Sequence, residues 1–209
     1  MATPIYEFGQ IPRVEAPAKP RGRARRVRDA GQAPTVGVIY NPRSHRNLGA
    51  DFDCGLCPHV HIPQPRERGQ LPLALTEFAE KGIDLLVING GDGTVRDVLT
   101  CGQTIFGDDW PAIAVLPKGK TNALTVDPVV PDDWTLQDAV DALDHGRRVW
   151  RRPMAVSAAD EAGKAAGVSR VAGFILGAGA FTKATQAGQS AHKLGLSLIH
   201  ISEPTRPRL

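Results

Sequence analysis

The chain has 209 residues, 42% of them hydrophobic, with 25 basic against 22 acidic side chains and a formal net charge of +3. That length suits one large domain or one domain with a piece of a second, and the apolar content suits a packed core. No run approaches the roughly 20 apolar residues of a membrane-crossing helix, and the amino end lacks a signal peptide's apolar stretch, so a cytoplasmic protein is the expectation.

Charge is uneven along the chain. Residues 1–33 carry seven basic side chains (Arg13, Lys19, Arg21, Arg23, Arg25, Arg26, Arg28) against Glu7, Glu15 and Asp29, a net of +4, while the whole chain is +3. This proline- and arginine-rich arm has too little apolar content to bury itself, and disorder is expected of it. No nucleic-acid partner is expected. Peripheral contact with the inner membrane face is the alternative, since each basic residue near anionic lipid heads is worth about 1 kcal/mol.

From residue 34 the pattern alternates. "TVGVIYN" (Thr35 to Asn41) is a short, β-branched apolar run, as a buried parallel strand should be, and the loop "NPRSHRN" follows it. "CGLCPHVH" then puts Cys54 and Cys57 in C-x-x-C spacing beside His59 and His61. A structural zinc site of the usual kind needs a second pair, and only Cys101 remains, so these read as ordinary reduced cysteines. "LPLALTEFAEKG" keeps Leu75, Phe78 and Ala79 at helical spacing, with Gly82 as a carboxyl cap.

"IDLLVIN" (Ile83 to Asn89) is the second strand, and "GGDGT" leaves it. Gly90, Gly91 and Gly93 can take positive φ and let backbone N–H groups approach an anion closely. Thr94 is expected to open a short helix, "TVRDVLTCG", whose positive end faces the same place. Asp92, among those glycines, is a carboxylate where a magnesium ion or a hydroxyl proton would need one. The alternative is a tight structural turn, because D-G is an ordinary turn pair.

"PAIAVLP" (Pro111 to Pro117) is the third strand. The following "PKGKTN" satisfies a loose phosphate-loop pattern, but Ala114 falls inside the strand rather than at the first turn of a loop, so a Walker loop is rejected. Lys118 and Lys120 are either point charges for nucleotide phosphates or solvated loop lysines. "DDWTLQDAVDALDHG" reads as a helix capped by Asp132 or Asp133, with Leu136, Ala139, Val140 and Leu143 on one face and Gly146 at its end. Strands alternating with helices imply an α/β fold with a doubly wound, mostly parallel sheet, whose ligands bind at the carboxyl ends of the strands.

Beyond Gly146 strands are expected around Val149 to Val156 and Val171 to Leu176. Leu196 to Arg206, "LSLIHISEPTR", is the residue-for-residue translation of a common transposase adapter. Leu196 to Leu209 are therefore read as foreign to a natural chain that runs at least to Gly195 and was then cut off.

"NPRS" (Asn41 to Ser44), "DLLVINGGDGTVRDVL" (Asp84 to Leu99) and "LPKGKTNAL" (Leu116 to Leu124) together resemble the nucleotide-site segments of the diacylglycerol kinase catalytic domain, shared with sphingosine kinases and bacterial lipid kinases and, more distantly, NAD kinase. The resemblance runs from Val36 to Gly195, and "GFILGAGAF" (Gly173 to Phe181) is similar to the opening of the family's second, β-sandwich domain. It implies a nucleotide-binding domain over 34–147 and the start of a truncated β-rich domain over 148–195, which with the basic arm over 1–33 and the foreign tail over 196–209 makes four parts. It also implies that Asn41, Gly90, Gly91, Asp92, Gly93, Thr94, Gly119 and Asn122 surround ATP and its magnesium, with Asp92 central. The activity implied is transfer of the γ-phosphoryl group to a hydroxyl of a lipid such as diacylglycerol at a membrane surface. Three positions depart from the family pattern: His45 replaces a glycine, Lys120 a small or hydroxyl residue, and Asp97 a glutamate. An NAD kinase-like enzyme and a non-catalytic nucleotide-binding module stay open as alternatives.

Overall fold

A computed structural model of the chain describes residues 28–29, 31–47, 59–63, 68–120, 122, 130–131, 133–159, 165–175 and 183. Most of the basic arm, Cys54 and Cys57, Asp132, the chain past Ile175 apart from Lys183, and the Leu196–Leu209 tail lie outside the described residues. The chain divides into two compact units, Phe8–Phe174 and Met1–Glu7 with Ile175–Leu209. Every strand and helix described below belongs to the first.

Four parallel strands form the central sheet: β1 (Val36–Tyr40), β2 (Val60–His61), β3 (Leu85–Gly90) and β4 (Ala112–Pro117), in the spatial order β2-β1-β3-β4. β3 is hydrogen-bonded on both edges and buried along its whole length, which is why its sequence is an uninterrupted aliphatic run. Its side chains alternate between two cores. Leu86 and Ile88 point to the face covered by helices α1 (Leu71–Lys81) and α2 (Asp92–Phe106). Leu85 and Val87 point to the opposite face, where helix α3 (Leu136–His145) packs Ala139 and Leu143 against them. Helices on both faces make the sheet doubly wound, as expected. Among the described residues, no helix is long and apolar enough to cross a membrane.

α1 buries Leu75 and Phe78 completely and packs Ala79 against the same core. It ends at Gly82, whose φ of 63° lets the amides of Gly82 and Ile83 turn back to the carbonyls of Ala79 and Phe78. Only glycine enters that left-handed conformation without a Cβ penalty.

α3 starts later than its sequence suggested. Neither Asp132 nor Asp133 is the cap; Thr135 is, and its hydroxyl accepts from the Asp138 amide at 3.2 Å. The Asp138 carboxylate in return accepts from the Thr135 hydroxyl at 2.6 Å and the Thr135 amide at 2.8 Å. This reciprocal box satisfies both partners at once, which a lone aspartate two or three residues earlier cannot do.

An antiparallel hairpin, β5 (Met154–Ala159) with β6 (Ala165–Gly173), follows. β5 begins five residues later than expected and β6 ends sooner. The segment up to Pro153 carries no strand, and proline, lacking an N–H, suits the residue just before a strand. The hairpin reaches α2 through Ala172, which is buried in the α1–α2 core and donates its amide to Thr100 Oγ1 at 3.0 Å.

Two predictions follow from this packing. A Cβ built on Gly102, inside α2, would lie 2.3 Å from the Trp110 ring, whose centroid is 5.0 Å from that of Phe106 in a tilted pair. Gly102→Ala should therefore destabilise the fold by on the order of 1 kcal/mol, overpacking outweighing the roughly 1 kcal/mol that alanine gains in a helix. In a Trp110→Ala background the same substitution should become neutral or stabilising, as thermal denaturation of the four variants would read. At α3, the hydrogen bonds from the Thr135 side chain and backbone hold the Asp138 carboxyl below its ordinary value of 3.8. A lowered folded value gives stability that is present above that ordinary value and is lost as pH falls through the folded one. Thr135→Ala should thus lower the melting temperature at neutral pH, with the difference from wild type shrinking below about pH 4.

Candidate active site

Chain order and spatial order disagree at one place. β1 is followed by β2 on one side and flanked by β3 on the other, so the strand order reverses between β1 and β3. Such a switch point leaves a crevice at the carboxyl ends of the strands, because the connections depart in opposite directions. The three loops singled out from the sequence all leave this edge, since Tyr40 pairs with Asn89 and Gly90 with Pro117.

The loops are tied to one another. After β1, the Asn41 amide donates to the Asn89 carbonyl at 3.0 Å, and Asn41 Nδ2 donates to Thr94 Oγ1, in the first turn of α2, at 2.8 Å. Asn41 Oδ1 accepts from the Arg43 amide at 3.0 Å, which turns the loop sharply. After β4, the Lys118 amide donates to the Gly90 carbonyl at 3.1 Å, and the Lys118 carbonyl accepts from the Arg46 amide at 3.0 Å. One continuous backbone network therefore joins the first, second and third loops.

The glycines serve this closeness rather than positive φ. Among the described glycines only Gly31, Gly82 and Gly107 have positive φ, so Gly90, Gly91 and Gly93 do not use that freedom. A Cβ on Gly91 would lie 2.8 Å from Gly119 Cα, and a Cβ on Gly119 would lie 2.8 Å from Gly91 Cα. The second and third loops thus touch backbone to backbone. A Cβ on Gly90 would lie 2.5 Å from Thr94 Oγ1, whereas one on Gly93 would meet nothing within 4 Å.

α2 is also longer than read. It starts at Asp92, two residues before Thr94, and runs for 15 residues rather than as a short helix. Gly91 is its cap, in extended backbone with φ −94°, and the Gly91 carbonyl accepts from the amides of Thr94 and Val95. Asp92 is therefore a half-buried carboxylate in the first turn, where the helix carries its partial positive charge.

The third loop is closed by Asn122. Its Oδ1 accepts from the Gly119 amide at 2.7 Å and its Nδ2 donates to the Gly119 carbonyl at 3.1 Å. Asn122 is buried with φ 48°, a left-handed conformation that asparagine tolerates better than most residues. Lys118 is half-buried and Lys120 exposed. Asp97 pairs with its neighbour Arg96, whose Nη2 lies 2.6 Å from the carboxylate.

Two residues escaped the sequence reading. Asn47, 5% exposed, donates Nδ2 to Asn89 Oδ1 at 2.8 Å and to the Asn41 carbonyl at 2.9 Å, and Asn89 itself is 2% exposed. Together they fasten the first loop to the end of β3. The signal in the sequence was an asparagine closing an otherwise aliphatic strand, where a buried amide must find a partner. Among the described residues no three His, Cys, Asp or Glu side chains cluster as a metal site.

A doubly wound domain with an amide-rich, glycine-lined edge at its switch point is the class defined by this geometry. Within that class the match is specific: the diacylglycerol kinase catalytic domain profile covers residues 35–156, more than half of the chain, and the chain belongs to that family. It is 30% identical over 73 residues to the Probable lipid kinase YegS of Shigella flexneri, a stretch that is 35% of this chain and 24% of that protein. The same figures hold for the Probable lipid kinase YegS of Escherichia coli O9:H4 (strain HS). The chain thus spans about a quarter of the length of these curated relatives. The crystal structure of a diacylglycerol kinase from Bacillus anthracis str. Sterne is similar over 54% of this chain and 40% of that one, at 26% identity and a TM-score of 0.41.

The backbone contact between the second and third loops generates a prediction. Gly91→Ala should push the loops apart while sparing the sheet, so hydrogen exchange at the amides of Lys118 and Gly119 should accelerate at least about tenfold, whereas β1 and β3 amides stay protected. Unchanged exchange at Gly119 would show that the contact can relax without cost.

Proposed function

We propose that this chain carries the nucleotide side of an ATP-dependent lipid kinase, which transfers the γ-phosphoryl group of ATP to a hydroxyl on a lipid such as diacylglycerol. The observation that carries the reading is the joining of three loops at the switch point around one half-buried carboxylate, Asp92, at the amino end of a 15-residue helix. Membership of the family supports the phosphotransferase class. The lipid is suggested by the relatives' printed descriptions as lipid kinases.

The residues present suit a magnesium nucleotide. Magnesium keeps several waters and is commonly held by one or two carboxylates plus the substrate's own phosphates, so a single Asp92 without a three-ligand cluster is compatible with it. When bound, the ion would neutralise charge developing on the phosphates. The chain's own residues do the rest by positioning, which is most of what phosphoryl transfer asks of a protein. The amino end of α2 would favour a bound anion, and a Cβ on Gly93 would meet nothing within 4 Å, which leaves open space beside it. Lys118 and Lys120 act as point charges on the phosphates. Asn41, Thr94, Gly90, Gly91, Gly119 and Asn122 hold the loops at the spacing that the nucleotide needs.

In the protein at the full length of its relatives, Asp92→Asn should lower phosphoryl transfer from magnesium ATP to diacylglycerol micelles at least about a hundredfold while leaving the circular dichroism unchanged. In the 209-residue chain, the same substitution should remove most of the magnesium dependence of ATP binding measured by calorimetry. Wild-type turnover in the variant would refute the role given to Asp92. Faster transfer to NAD than to any lipid would make the NAD kinase-like alternative the better reading.

A further inference from the structure

Between α3 and β5 the chain reads "GRRVWRRPM" (Gly146 to Met154), four arginines bracketing a valine–tryptophan pair, and no carboxylate occurs from His145 to Ser157. Trp150 is 92% exposed, Val149 60% and Met154 45%, and all four arginines are exposed. The chain's other tryptophans are placed differently: Trp110 packs in a tilted pair with Phe106 and Trp134 packs against the α3-side core. The segment is not a frayed end. The Gly146 amide closes α3 on the Ala142 carbonyl at 2.9 Å, Arg148 Nη2 donates to the Leu143 carbonyl at 3.1 Å, and β5 pairs with β6 from Met154 onward.

A tryptophan left almost wholly in water forgoes the burial of a side chain that covers about 150–250 Å². Here it stands with two aliphatic neighbours inside a cationic frame. Indole is the side chain that favours the boundary between lipid heads and acyl chains, and arginines beside it gain from anionic heads. A single-stranded nucleic acid could stack on the indole and pair with the arginines, but it would make no use of Val149 and Met154, whereas an acyl boundary accommodates all three apolar side chains.

We propose that Arg147–Met154 is an interfacial docking segment that seats Trp150, Val149 and Met154 in the head-group boundary of an anionic membrane, with the arginines on the lipid phosphates. The inference agrees with a lipid acceptor but does not require phosphoryl transfer, so its failure would leave the kinase reading standing.

Co-sedimentation with vesicles tests it on the chain as it is. The protein should sediment with vesicles of phosphatidylcholine mixed with phosphatidylglycerol and not with phosphatidylcholine alone. Binding should fall as ionic strength rises from about 0.1 M to about 1 M, where the screening length shrinks from about 10 Å to about 3 Å. Arg147→Gln with Arg152→Gln should weaken binding about twenty-five-fold, about fivefold for each arginine near an anionic surface. Trp150→Ala should also release the protein, and Trp150→Phe should restore part of the binding. Brominated lipids should quench the wild-type tryptophan emission and quench the Trp150→Phe variant less. All of these side chains are exposed, so circular dichroism should match wild type. Equal vesicle binding by wild type and variants would overturn the proposal, as would a preference for single-stranded oligonucleotides over anionic vesicles.

Discussion

The placement of β3 between β1 and β4 is the constraint on which the rest depends. A strand paired on both edges and covered on both faces has one workable register, because a slip of a single residue would exchange the side chains of its two cores. Leu86 and Ile88 would then meet α3, and Leu85 and Val87 would meet α1 and α2. That register carries Asn89 to Tyr40 and Gly90 to Pro117, so the loops after β1, β3 and β4 start level with one another. The site is thus a consequence of core packing: hydrophobic alternation within the sheet aligns polar groups at its edge.

At that edge the limiting quantity is space. The approach of Gly91 to Gly119 permits no Cβ on either residue, and the Gly90 position is filled by Thr94. Asparagines supply the fastening. Asn41, Asn47, Asn89 and Asn122 each use a short amide to bond backbone or another amide, and three of the four are buried. A longer glutamine would lose more rotamer freedom on being fixed, and an aspartate would bring an unpaired charge into a poorly solvated place. The carboxylate that does stand here, Asp92, sits where the partial charge of α2 compensates it.

What could be read in the sequence divides along the same physical line. Periodicity reports burial, so the strands around Val36, Leu85 and Ala112, the helix carrying Leu75 and Phe78, and the sheet edge at which the three loops meet were all legible. Glycine was read for the wrong reason at Gly90, Gly91 and Gly93, because freedom in φ and absence of a Cβ leave the same letter in a sequence. The start of α3 was misplaced because two aspartates at 132 and 133 are good caps in isolation, and the competing Thr135–Asp138 pair has aspartate where the familiar box has glutamate or glutamine. Asn47 and Asn89 could not be paired by inspection. They are 42 residues apart, and only the parallel register brings them together.

α2 links the two sheets of the described fold. Its amino end opens from the second loop of the candidate site, and its middle accepts the hairpin through Thr100, whose hydroxyl donates to the Arg96 carbonyl at 2.7 Å while accepting from the Ala172 amide. A threonine within a helix commonly bonds back to the preceding turn, and here that bond orients the lone pair toward the edge of β6. The buried Ala172 then takes its place in the same core that holds α2 on the sheet. Whatever covers the outer face of this helix is therefore fixed to the rigid body that positions Asp92, so loss of the hairpin would expose apolar surface on α2 and loosen the helix at whose first turn the carboxylate stands.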